Sequence, residues 1–143
     1  MLPILAQVQS AFSDVPRPEH FTDFTHCSEC AEHDETLRAY TPDTIGLPEL
    51  GNPGWDPICF ITDAGYLYYF PAMARLALGV GDEYYLSQFL FHLSPDRFSM
   101  MSPEQRQAVA LFLEHLWELD FADGCGDQEQ LELRIMQVRG EAR

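Results

Sequence analysis

The stretch Ser102-Pro103-Glu104-Gln105 constrains the fold more than any other part of this chain. It offers an N-cap serine, a proline at the first helical position and a glutamine at the third, the elements of a capping box. Val109, Phe112, Leu113, Leu116 and Trp117 follow on one face, so the spacing predicts a helix to about Leu119. The same period returns at Ile4, Leu5, Val8 and Phe12, predicting a helix over 3–12 that Pro16 and Pro18 close off. Residues 25–40 lack Gly and Pro and read as a second helix, and 63–78 as a third, with Pro71 expected to kink or split it. Residues 84–93 and a segment marked by Leu131, Ile135 and Val138 complete the helical pattern, with Gly124 and Gly126 breaking the chain before the last helix. Between them, 41–57 holds Pro42, Pro48, Pro53, Pro57 and Gly46, Gly51, Gly54, a long ordered connection with a helical turn near Leu47–Leu50. Ile58–Ile61 is apolar and β-branched enough for one short strand. No repeat or linker divides the chain, so 1–143 reads as a single mainly α domain of five or six helices.

Charge narrows the function classes. Twenty-three acidic residues against eight basic ones give a net charge of −15, which repels phosphate backbones, so nucleic acid is not an expected ligand. All eight basic residues are Arg. Without lysine there is no P-loop, no Schiff-base lysine and no kinase-type catalytic lysine. No stretch approaches the roughly 20 apolar residues of a membrane-spanning helix, and the start of the chain lacks a secretory pattern. A cytoplasmic location is therefore expected. In a reducing compartment the four cysteines are expected as free thiols or metal ligands rather than disulfides.

The chemistry-bearing feature is His26-Cys27-Ser28-Glu29-Cys30-Ala31-Glu32-His33-Asp34. Zinc takes thiolate and imidazole ligands in a tetrahedron, and Cys27-x2-Cys30-x2-His33 supplies three such groups, with His26 a further candidate. A helix rises about 1.5 Å per residue, so His26 and His33 would lie roughly 10 Å apart along a continuous helix and could not share one ion. A helix beginning near Cys30 would let Cys27, Cys30 and His33 converge. His20, Cys59 and Cys125 are the candidates for a fourth ligand, none at a diagnostic spacing. Packing of the two cysteines into the core ranks first on general grounds, a metal site second and thiol redox chemistry third. Redox ranks last because no βαβ context surrounds the pair, and because acidic neighbours raise a thiol pKa.

Other groupings carry less. Five of the six tyrosines fall within 66–85 and are expected in the core with hydroxyls reaching the surface. Trp55, in a Gly/Pro-rich loop, is expected as a lid on the core. Cys59 or Cys27 with His92 or His115, or Ser87 with His92, would serve nucleophilic catalysis, but no nucleophile elbow or metalloprotease motif supports them.

Three stretches resemble an uncharacterised bacterial family classed as a domain of unknown function. They are Ala11–Pro18, the entry Ile61–Ala72 to the second long helix, and Leu93–Leu116 with its Ser-Pro-Glu-Gln start. The resemblance rests on packing and turn residues and implies no activity. The residues thus predict a non-enzymatic protein of unknown role, with Cys27, Cys30 and His33 as the candidate ligands should a structural zinc ion be bound. The alternatives are an acidic interaction protein of the toxin-immunity type, whose charge would select a basic partner, and a thiol-dependent enzyme.

Overall fold

The computed structural model describes residues 3–79, 85–119 and 127–140. Eight α-helices form among them: α1 Pro3–Ala11, α2 Ser28–Arg38, α3 Leu47–Leu50, α4 Asp63–Leu78, α5 Leu86–His92, α6 Pro95–Phe98, α7 Pro103–Glu118 and α8 Gln128–Val138. The protein is a single mainly α domain. Six of these are the helices expected from periodicity, and α3 and α6 are single turns started by proline. No helix of the described residues is long and apolar enough to cross a membrane.

The capping box at α7 forms as the residues require: Ser102 accepts from Gln105 N and Gln105 accepts from Ser102 N. α7 packs between α1 and α8, and α4 between α1 and α5. An aromatic series runs through that core: Phe12 stacks on Phe70 at 4.7 Å, Phe70 meets Phe89 at 5.6 Å, and Phe89 meets Phe112 edge-on at 5.7 Å.

Three expectations are corrected. Ile58–Ile61 is no strand: Pro57–Phe60 is a 3₁₀ turn, because Pro57 presets its first φ and the Asp56 side chain accepts from Ile58 N at 3.0 Å. Only Ile61 pairs, in an isolated antiparallel bridge with Thr22. Pro71 does not split α4, which runs unbroken from Asp63 to Leu78 with Tyr69, Phe70, Ala72 and Met73 buried around the proline. α2 begins at Ser28 rather than Thr25, because Cys27 is extended and caps it. Tyr84, Gly124, Cys125 and Gly126 lie outside the described residues.

The segment 20–22 crosses the start of α4 closely enough to exclude a side chain there. A Cβ on Gly65 would sit 2.9 Å from both Ile61 Cγ1 and Phe21 Cδ1. Overpacking of this kind costs about 1–3 kcal/mol, while exchanging Gly for Ala in a helix gains up to about 1 kcal/mol. Gly65→Ala should therefore destabilise by about 1–2 kcal/mol, read as a lower urea midpoint; a raised midpoint would show that the crossing gives way.

Candidate functional site

Helix α2 lies at the edge of the aromatic core against the Pro57–Phe60 turn, and side chains from elsewhere hold it at its middle and its C-terminus. In the middle, buried Asp34 accepts from Phe21 N at 2.6 Å and Thr22 N at 3.3 Å, and its other oxygen lies 2.7 Å from His20 Nδ1. Burial opposes ionisation of this carboxyl, but the His20 contact and the two backbone donors outweigh it and hold its pKa below the usual value. Thr22 Oγ1 donates to Cys30 O at 2.7 Å, fastening the first turn. At the C-terminus, Tyr69 donates to Leu37 O at 2.6 Å and Tyr40 O at 2.7 Å, and Arg17 donates to Arg38 O at 2.8 Å. The carbonyls a helix leaves unpaired at its end are thus partnered by α4 and by the chain before α2.

The free end of α2 carries a Cys/Cys/His cluster. His26, Cys27 and Cys30 present ligand atoms within 4.8 Å of one another. Cys27 is the N-cap, with φ −164° and ψ 170°, and its sulfur accepts from Cys30 N at 3.4 Å. The two sulfurs are 3.3 Å apart, and His26 Nδ1 is 3.7 Å from Cys30 Sγ. Both cysteines are free; Cys27 is exposed and Cys30 is buried beneath it.

The two thiols are driven apart in acidity. The Cys30 backbone N–H, followed by His26 and the Cys30 thiol, pulls Cys27 down to about 7. Cys30 is raised, first by its hydrogen bond with Cys27, then by burial, then by the charges of ionised Cys27, Asp23 and Glu29. The acidic neighbours thus act on Cys30 as expected, while at Cys27 the backbone N–H of Cys30 and the His26 ring lower the pKa instead.

His33 does not converge with the sulfurs. Its fully buried ring lies 5.0 Å from Phe60 and 4.5 Å from Trp55, with Nε2 3.3 Å from Glu29 Oε2. Trp55 therefore covers His33 rather than the core. Of the expected fourth ligands, His20 is taken by Asp34, Cys59 belongs to a separate group, and Cys125 lies outside the described residues. Among the described residues no fourth His, Cys, Asp or Glu donor lies within 4.8 Å of all three atoms.

That separate group brings Asp56, Cys59 and His92 together. Ser87 is exposed on α5 and takes no part, because His92 Nε2 lies 2.7 Å from Asp56 Oδ2 instead. His115 joins neither group. Asp56 was not visible as a site residue: 36 positions separate it from His92, and only its capping of Pro57–Phe60 has a local signal. Two tyrosine hydroxyls, those of Tyr66 and Tyr85, are buried rather than at the surface and have no hydrogen-bond partner among the described residues. Arg97 stands 4.1 Å over the Tyr66 ring in a cation–π contact.

No family model matches the chain, and neither any curated protein nor any solved structure is similar to it.

Proposed function

We propose that Cys27 and Cys30 are a redox-active dithiol and that the protein exchanges thiol and disulfide with a disulfide-bearing partner. The observation that carries this is the asymmetry of the pair: an exposed sulfur at a helix N-cap, held by a backbone N–H, over a buried one 3.3 Å away. A thiolate is the attacking species, and its position at the N-terminus of α2 stabilises that charge. In the exchange, Cys27 thiolate attacks one sulfur of the partner disulfide, and the other partner sulfur leaves as a thiolate and takes up a proton. Cys30 then loses its proton, to His26 or to water, and attacks the Cys27 sulfur, expelling the partner's remaining thiolate. Two electrons pass to the partner and Cys27–Cys30 is left as a disulfide; the two partner thiolates are protonated through water by the equivalent of the two protons lost, one as Cys27 ionises and one from Cys30.

A metal site is the second reading, favoured by the three donors of His26, Cys27 and Cys30. Two thiolates at about 2.3 Å from one tetrahedral ion stand about 3.8 Å apart, and a disulfide about 2.05 Å. The observed 3.3 Å separation lies between these limits. Zinc would be the ion suited to this donor set, its fourth position filled by water or substrate.

One experiment separates the two. The protein is purified without chelator, assayed for zinc, and equilibrated anaerobically with graded glutathione redox buffers before acid quenching and peptide mapping. The redox reading expects a two-electron transition forming a Cys27–Cys30 linkage, with less than about a tenth of an equivalent of zinc. A full equivalent of zinc with both thiols protected from oxidation would overturn it in favour of the metal. Absence of both the linkage and the metal would reject both readings.

A further inference from the structure

We infer that Asp56, Cys59 and His92 form a second site, independent of Cys27 and Cys30, that takes a divalent transition-metal ion of the zinc class. Three elements meet there: the residue capping the 3₁₀ turn, the turn itself and the end of α5. Their ligand atoms lie within 4.8 Å of one another. One carboxylate, one thiolate and one imidazole is a donor set for zinc or cobalt(II), and too soft for magnesium or calcium.

The arrangement has the features that separate a prepared site from a chance grouping. Asp56 and His92 are each only 4% exposed, whereas Cys59 is exposed and leaves a route in from solvent. Outer contacts fix the buried donors. Asp56 Oδ1 accepts from Ile58 N at 3.0 Å, and Oδ2 accepts from Gln88 Nε2 at 3.0 Å. Gln88 is itself anchored on Leu50 O at 3.1 Å, and Arg97 donates to the main-chain carbonyl of His92 at 2.7 Å, which holds the end of α5. Such outer-shell bonds orient ligands before an ion arrives. The buried Tyr85 hydroxyl has no hydrogen-bond partner among the described residues, and burial first, then the charge of Asp56, raises its pKa.

Electrostatics favours a cation. Asp56 and Glu29 set a negative field at Cys59, which Arg97 opposes. Burial, and then Asp56, push the Cys59 thiol up, the opposite of what a nucleophile requires, so a Cys59–His92–Asp56 triad is not supported. A bound ion reverses that effect by replacing the thiol proton. Binding would also take the place of the 2.7 Å hydrogen bond between His92 Nε2 and Asp56 Oδ2.

The test uses the full chain carrying Cys27→Ser and Cys30→Ser, which removes the other thiols that approach a metal site. Anaerobic cobalt(II) titration, followed by absorption and checked by competition with zinc, should show one equivalent bound with a thiolate-to-cobalt charge-transfer band. Adding Cys59→Ser, a change at an exposed position that spares the core, should abolish that band. It should also weaken binding by more than the roughly 10–100-fold that loss of an outer-shell partner costs. His92→Gln should weaken binding comparably, with folding verified by far-ultraviolet circular dichroism. Failure to bind a stoichiometric ion would overturn the proposal, and so would a charge-transfer band that survives Cys59→Ser.

Discussion

Asp34→Ala should cost about 3–5 kcal/mol, the range for removing one partner from a buried charged network. The carboxylate of this one α2 side chain holds three groups of segment 20–22: Phe21 N, Thr22 N and His20 Nδ1. Alanine would leave two backbone donors without their acceptor, each worth about 1–3 kcal/mol when buried. Against a total stability of about 5–15 kcal/mol the loss is large enough to expose the first turn of α2 and, with it, Cys30. Urea denaturation reads the loss, and alkylation of Cys30 in the native state reads the exposure. Asp34→Asn, which keeps an acceptor oxygen, should recover part of the stability.

The same carboxylate sets an acid dependence. Its folded pKa is lowered from 3.8, so it contributes stability that is present above the unfolded value and lost as pH falls through the folded one. The difference between wild type and Asp34→Ala should therefore be full at neutral pH and shrink below about pH 4. A difference that stays constant into acid would assign the loss to packing instead of charge.

How far residues alone disclosed this molecule depended on whether the signal was local. Ser102-Pro103-Glu104-Gln105 and the apolar face after it specify α7 by contacts within three or four positions, and α7 spans Pro103–Glu118. The 3₁₀ turn at Pro57–Phe60 carries no unambiguous local signal, because four apolar residues suit a strand and a turn equally and the decisive group is the Asp56 cap just before them. At the site, His26 groups with the two sulfurs and His33 does not. Which histidine stays with the sulfurs depended on α2 starting at Ser28, which leaves His26 and Cys27 before the first turn. The destination of His33, against Trp55 and Phe60, depends on residues more than 20 positions away. Neither that contact nor the pairing of Asp56 with His92 leaves a periodic trace in the sequence.

Cys27→Ser and Cys30→Ser should fail differently, and that difference tests the assigned roles. Cys27→Ser removes the exposed nucleophile, so exchange with a peptide disulfide should fall by at least about 100-fold, to the background of the remaining thiols; Cys59, pushed up by burial, contributes little of it at neutral pH. Cys30→Ser keeps the attacking sulfur and removes the resolving one. It should accumulate a mixed disulfide with the partner, seen as a mass increase that dithiothreitol reverses. In the wild-type reduced protein, alkylation of Cys27 should follow its thiolate fraction with a midpoint of about 7, where an unperturbed cysteine gives roughly 8.5. Lower pKa also lowers intrinsic nucleophilicity, so the gain in rate over an ordinary thiol is only several-fold at neutral pH and widens in mild acid. Trapping by Cys27→Ser rather than Cys30→Ser would reverse the roles. Equal inactivity of both, with no trapped adduct, would leave the two sulfurs as metal ligands or packing groups instead of a redox couple.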